Sequence, residues 1–359
     1  MKEQNWSIQE CWNLALISGK KDRRIEPRNI LFASEIGKNF LEVYWQMKGI
    51  PPTNVASDTA LRKMEAGNFY EAIVAWTLQR CGILKETQGK ARLLNDPNYL
   101  DVYGRFDILA GHDGNWLKTK TELEEMFKKF EELKFDFPFY IQVKKIALQT
   151  VEYLSSKYPE GLSDKIYEVK SINSMAFWRE DKPISSPYPH HVMQLSFYQM
   201  IHPVKIASFI YIDRDTMSIS EIPNFLKKEN TDTIYAWLKQ MTDYWRNQTE
   251  PEKPPLIIWD KKENKWSFNW EIDRSQYRDK LLGSRTTQDI RKEVNDRNYK
   301  IRKENALDSA LEGKEIRGNK KYRLAIEYIK SGITEENIIK KTKITKNEFD
   351  IIKQRSIKT

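Results

Sequence analysis

Residues 58–222 pass from helical to strand periodicity, back through a charged helical stretch, and then to strand, helix and strand again. Few folds accept that order. Residues 58–81 carry Leu61, Met64, Phe69, Ile73, Val74, Trp76 and Leu78. At about 100° per residue these surround the helix axis, so the helix is expected to be central and buried. Asp58 is its candidate cap and Gly82 its stop. Residues 91–110, 165–171, 206–213 and 217–222 have strand character. SFIYIDRDTMSISEI reads as a hairpin turning at Asp213–Thr216. Residues 115–160 read as a helical insertion, and helices are expected at 190–202 and 230–247. The expected fold is therefore α/β, with a central twisted mixed β-sheet flanked by helices.

The flanks add less. SEIGKNFLEVYWQMKG reads as a helix capped at Ser34 and closed at Gly49, the last helix of a helical N-terminal stretch. Residues 251–270, rich in Pro and Trp, read as irregular. In residues 281–359, NKKYRLAIEYIKSG forms one helix. TEENIIKK starts a second at Thr334. TKNEFDIIKQR starts a third at Thr345, with Glu348 completing a capping-box pattern. Three short helices with tight turns resemble a helix-turn-helix module. A small packing bundle is the plainer reading. Two domains are expected, residues 1–280 and a basic helical extension at 281–359.

The net charge is +9, and residues 281–359 hold 20 Lys+Arg against 12 Asp+Glu, so nearly all of it sits there. A basic tail on a near-neutral body points to a polyanion partner, most simply nucleic acid. Two cysteines, Cys11 and Cys81, exclude a disulfide framework and a four-cysteine site within one chain. No secretory signal and no membrane-length apolar run is read, so a reducing cytoplasm is the expected location.

The chemistry-bearing residues lie on this frame. Strand alternation puts Glu168 and Lys170 of YEVK on one face. Asp107 lies in the strand GRFDILAG. Glu71 sits on the helix at 58–81 among Met64, Val74 and Leu78, where a carboxylate needs a cation or hydrogen bonds. A metal meets that need; so does Lys170 or Arg105. Gln194 and Tyr198 share a helix face at i,i+4. Three carboxylates and a lysine suit metal-dependent phosphodiester hydrolysis: Mg²⁺ takes hard oxygen ligands and keeps several waters. Asp107, Glu168 and the Val169 carbonyl would be ligands, and Lys170 would orient the attacking water or stabilise developing charge. The four histidines show no ligand spacing. Trp259, Trp266 and Trp270 read as packing residues.

Together these strings resemble the PD-(D/E)XK nuclease superfamily, in its RecB-like branch with the CRISPR-associated RecB-like and phage exonucleases. The resemblance covers about residues 30–280. EAGNFYEAIVAWTLQRCGI is similar to the family's first helix, which implies a metal-binding Glu71. GRFDILAG is similar to its aspartate strand, implying Asp107. IYEVKSINSMAFW is similar to the E-x-K strand, implying Glu168 and Lys170. HHVMQLSFYQM is similar to the Q-x-x-x-Y helix, implying Gln194 and Tyr198. The implied protein is a Mg²⁺- or Mn²⁺-dependent DNA nuclease with a restriction-endonuclease-like core, an exonuclease of replication, recombination or repair, of phage-like type and working in the host cytoplasm. A structure- or sequence-selective endonuclease and a non-catalytic nucleic-acid-binding or virion-associated protein are the alternatives. Relatives with an iron–sulfur cluster use cysteines that Lys38, Asn39 and KWSFNWEIDRSQYRD do not supply, so no cluster is expected.

Overall fold

The computed structural model describes residues 26–54, 57–132, 140–179, 181–202, 204, 206–261, 263–311 and 319–356. The helices expected before residue 26 lie outside them. The chain divides into two compact units, Met1–Lys253 and Pro254–Thr359. That division falls earlier than the 280/281 boundary expected from composition.

The first unit is built on a six-stranded mixed sheet with helices against it. Its strands are β1 (Leu31–Phe32), β2 (Leu84–Leu93), β3 (Val102–His112), β4 (Leu162–Ile172), β7 (Ile206–Asp213) and β8 (Ile219–Phe225). The two-residue strands β5 (Trp178–Arg179) and β6 (Lys182–Pro183) form a separate ribbon. β2 runs antiparallel along β3. β1 pairs in parallel with Val102 and Tyr103 only, and β4 pairs antiparallel with β3 from Ile108 to His112. A strand has two edges, and β2 occupies one. Residues 104–107 of β3 therefore form an unpaired gap on the other edge, between β1 and β4. β4 and β7 are parallel, with Lys170 opposite Tyr211, and β7 and β8 form the expected hairpin. Asp213 holds that turn, its carboxylate accepting from the Thr216 hydroxyl at 2.7 Å and the Asp215 amide at 3.0 Å.

The helices are α1 (Phe40–Met47), α2 (Asp58–Arg80), α3 (Trp116–Glu132), α4 (Tyr140–Lys157), α5 (Ser174–Phe177), α6 (Pro189–Ile201) and α7 (Lys228–Arg246). α1 starts at Asn39, not Ser34. The Asn39 side chain accepts from the Leu41 and Glu42 amides, and residues 33–35 make a separate 3₁₀ turn. α2 is capped by Ser57, whose hydroxyl accepts from the Ala60 amide at 3.3 Å, rather than by Asp58. α2 is also not the buried central helix expected. Val74 packs with Ile108, Ala110, Val169, Ile210 and Ile212 of the sheet, while Met64 (65 % exposed), Phe69, Ile73 and Trp76 face outward. Apolar residues surround the axis, but the sheet covers only one side of it. α3 and α4 form the expected helical insertion.

In the second unit, residues 257–260 and 265–268 are a two-stranded antiparallel ribbon, β9 and β10, where irregular structure was expected. Trp259 and Trp266 pack edge to face there, and cross-strand aromatic contact of this kind stabilises short ribbons. Among the described residues six helices follow: α8 (Trp270–Asp273), α9 (Arg278–Leu282), α10 (Thr287–Leu311), α11 (Lys320–Lys330), α12 (Glu335–Thr342) and α13 (Lys346–Ser356). No helix among the described residues is long and apolar enough to cross a membrane.

Candidate active site

The site lies where β3 and β4 diverge. Their pairing ends at Ile108 and Tyr167. One step further, the Asp107 carboxylate replaces the ladder and accepts the Val169 amide at 2.7 Å. Thus Val169 meets Asp107 through its N–H, and its side chain joins the core against α2.

Alternation along β4 sends Glu168 and Lys170 to the same face, as expected. Lys170 Nζ lies 2.5 Å from Glu168 Oε1. Glu168 is 1 % exposed, and its second oxygen, Oε2, is buried with no hydrogen-bond partner among the described residues. Burial pushes the Glu168 carboxyl up, Lys170 opposes that, and Glu71 adds to it. Burial raises Asp107 further above the usual carboxylate range, and Glu168 next to it raises it more. Burial alone would lower Lys170. The Glu168 and Asp107 carboxylates outweigh it and hold the ammonium above its usual value, so Lys170 is a cation at neutral pH. It can stabilise negative charge or orient a donor.

Glu71 belongs to the same electrostatic group, since its charge raises both Asp107 and Glu168. Its carboxylate is held by the Gln88 amide. Gln88 lies between the Thr87–Ile108 and Gly89–Phe106 pairs of the β2–β3 register and has a left-handed backbone, φ 53°. Among the described residues no three Asp, Glu, His or Cys side chains converge tightly enough to cage an ion. Asp107 and Glu168 present a two-carboxylate arrangement, with Glu71 behind Gln88. Two buried carboxylates beside one ammonium, with an orphaned buried oxygen, are hard oxygen donors of the kind a divalent cation takes.

Gln194 and Tyr198 meet as their spacing predicts. The Gln194 amide donates to the Tyr198 hydroxyl at 2.9 Å. Tyr198 is 2 % exposed and receives a backbone hydrogen bond from Arg105, in the unpaired stretch of β3. Burial and the nearby Glu168 push its phenol well above the usual range. Gly104 is required here: a Cβ would lie 2.7 Å from both Ala33 Cβ and Tyr198 Cε1.

Several residues around these were not legible in the sequence. Tyr211 stands opposite Lys170 and is bridged to the His191 ring at 2.8 Å. Burial, then Lys170, keep that imidazole neutral, at about 2. A cleft of about 530 Å³ opens beside Gln194 and Tyr198, and its walls include Gln88, Lys90, Arg92 and Arg105 but no carboxylate. A second groove of about 590 Å³ runs past Glu71, Trp76 and Gln88. In sequence, Lys90, Arg92 and Arg105 look like three cations among 60; only the β2–β3 hairpin gathers them.

No family model matches the chain, and no curated protein does. Among solved structures, the chain is similar to one titled "Crystal structure of SSO0001", at 14 % identity and a TM-score of 0.39, over 75 % of this chain and 93 % of that one. A likeness of that degree carries no argument about function.

Proposed function

We propose that the protein is a metal-dependent DNA nuclease with a restriction-endonuclease-like core, hydrolysing phosphodiester bonds at Asp107, Glu168 and Lys170, most simply as an exonuclease. The observation that carries this reading is Glu168: a buried carboxylate whose one oxygen faces the Lys170 ammonium at 2.5 Å and whose other oxygen has no described partner. A structural ion pair is normally completed by hydrogen bonds to the remaining oxygens. Leaving one oxygen open beside a second raised carboxylate suits a site that receives a cation.

Asp107 and Glu168 would hold Mg²⁺ or Mn²⁺. When bound, such an ion neutralises phosphate charge and lowers the pKa of a bound water. The chain's own residues do the rest. Lys170, fixed as a cation, stabilises charge developing on the phosphate. Glu71 adds negative charge that favours cation binding, and Gln88 holds it in place. Gln194 and Tyr198 keep α6 against the gap in β3. Lys90, Arg92 and Arg105 offer the backbone of a nucleic acid a run of cations in the cleft beside Gln194 and Tyr198.

End-labelled linear and closed circular DNA, incubated with Mg²⁺, Mn²⁺ or EDTA beside a Lys170→Ala control, tests the proposal. Metal-dependent loss of linear DNA alone, absent in the variant, is the expected result. Cutting of circles makes the enzyme an endonuclease. Salt-sensitive binding with no cleavage of any substrate overturns the enzymatic reading.

A further inference from the structure

The second unit carries a face that the proposed nuclease site does not use. The end of α10 and helices α11, α12 and α13 close around Leu307, Tyr322, Ile338, Ile344, Phe349 and Ile352. Glu348 locks α13 into that core. Its carboxylate accepts from the Tyr322 hydroxyl at 2.6 Å and from the Thr345 amide, with Lys303 at 3.0 Å and Lys321 at 3.3 Å. The Glu348 amide in turn donates to the Thr345 hydroxyl at 3.2 Å, completing the capping box read in the sequence.

The joint between α12 and α13 is three residues, Lys343, Ile344 and Thr345. Lys343 has a left-handed backbone, φ 56°, and Ile344 is buried. A short joint of this kind, with a left-handed residue followed by an apolar one that plugs the core, turns one helix sharply onto the next as a helix-turn-helix does. At about 100° per residue, Glu348, Phe349 and Ile352 face the core, and Asn347, Asp350 and Gln354 stand on the opposite side, while Ile351 packs partly against the core. Asn347 and Gln354 are exposed. Lys343 and Lys353 are exposed beside this stripe, as is Lys346, which is shared with Glu335 and Asp350.

The chemistry of this face selects its partner. Asn and Gln amides pair with the two major-groove groups of adenine. Flanking lysines meet phosphates. Protein-binding faces concentrate Trp, Tyr and other large anchors, and single-strand platforms need aromatic rings; none stands on the exposed stripe of α13. The charge excess of residues 281–359 supplies the complement to a polyanion. We infer that α12 and α13 form a duplex-DNA reader in which α13 enters the major groove, with Asn347 and Gln354 reading base edges and Lys343 and Lys353 contacting phosphates. This inference does not depend on the nuclease reading.

The test is binding of the full chain, in EDTA, to a labelled duplex of about two helical turns, to its separate strand and to a duplex RNA, over a salt series. Asn347→Ala/Gln354→Ala and Lys343→Glu are compared with wild type, with folding checked by circular dichroism and Asn347→Ala kept as a milder second variant. Duplex-DNA binding should weaken about thirtyfold or more in the double variant, and Lys343→Glu should lower the salt slope by about one. Lys170→Ala should keep duplex binding. Unchanged duplex affinity in both variants overturns the inference. So does equal loss on the single strand, or equal affinity for the RNA duplex, whose major groove is too narrow for a helix.

Discussion

The Val169 amide donates a 2.7 Å hydrogen bond to the Asp107 carboxylate across the point where β3 and β4 stop pairing. The aspartate thereby satisfies the backbone donor that the diverging strand would leave open. It also stands next to Glu168, whose second oxygen has no hydrogen-bond partner among the described residues.

Replacing Lys170 removes the cation from a buried carboxylate. Breaking a buried pair leaves an uncompensated charge, and because Lys170 is 24 % exposed the cost should lie at the low end, about 3 kcal/mol. Lys170→Ala should therefore lower the unfolding temperature as well as cleavage, by about a hundredfold or more. Glu168→Gln/Lys170→Met should recover most of the stability and none of the activity. Recovery of cleavage in the double variant sinks the role given to Lys170.

Mg²⁺ should raise the unfolding temperature of the wild-type protein, and the rise should vanish in Asp107→Asn. A ligand at about a hundred times its Kd stabilises by about 2.7 kcal/mol. The sign with pH follows from the raised carboxyls of Asp107 and Glu168. An acid whose folded pKa is raised favours the fold while protonated, and this contribution is lost as pH climbs from about 4, where the unfolded groups ionise, through the folded values. Without metal, Asp107→Asn should be more stable than wild type at neutral pH. The Mg²⁺ effect should grow with pH, because the ligands must release their protons. Melting curves over that range, with and without Mg²⁺, decide it.

The cleft lined by Lys90, Arg92 and Arg105 should act on substrate binding more than on chemistry. Each Ala substitution should raise KM severalfold with kcat little changed, and should lower the salt slope of DNA binding by about one. A fall in kcat at constant KM would place these residues at the reacting phosphate instead.

Gly104→Ala tests the packing behind Tyr198. The added methyl overlaps Ala33 and the Tyr198 ring. Overpacking of this kind costs about 1–3 kcal/mol, and displacing Tyr198 should reduce cleavage. Thermal melting and cleavage measured on the same sample suffice.

Glu348 should dominate the acid limit of the second unit. Burial would raise its carboxyl. The Thr345 amide, the Tyr322 hydroxyl and Lys303 overcome burial and hold it at about 2. A depressed carboxyl stabilises above its unfolded pKa, about 4.3, and that stability is lost as pH falls toward the folded value. Glu348→Gln should cost about 1–3 kcal/mol at neutral pH and flatten the loss of helix between about pH 4.3 and about pH 2, read by circular dichroism.

What the sequence by itself determined is local. Alternation placed Glu168 with Lys170. The i,i+4 interval joined Gln194 to Tyr198, and the three-residue interval joined Thr345 to Glu348. In each case the backbone geometry of one element fixes the neighbour. Residues further apart needed the assembled chain. Asp107 and Val169 are 62 positions apart, and their contact exists only because β1 and β4 leave a gap on one edge of β3. Tyr211 reaches Lys170 through the register of two parallel strands whose crossover the pattern does not specify. The apolar girdle of α2 suggested a buried helix, yet Met64, Phe69, Ile73 and Trp76 are open. Hydrophobicity states what a helix can bury, whereas burial depends on which surfaces the rest of the fold brings to it. Strand register and burial are properties of the whole chain's packing, and only the tertiary structure decided them.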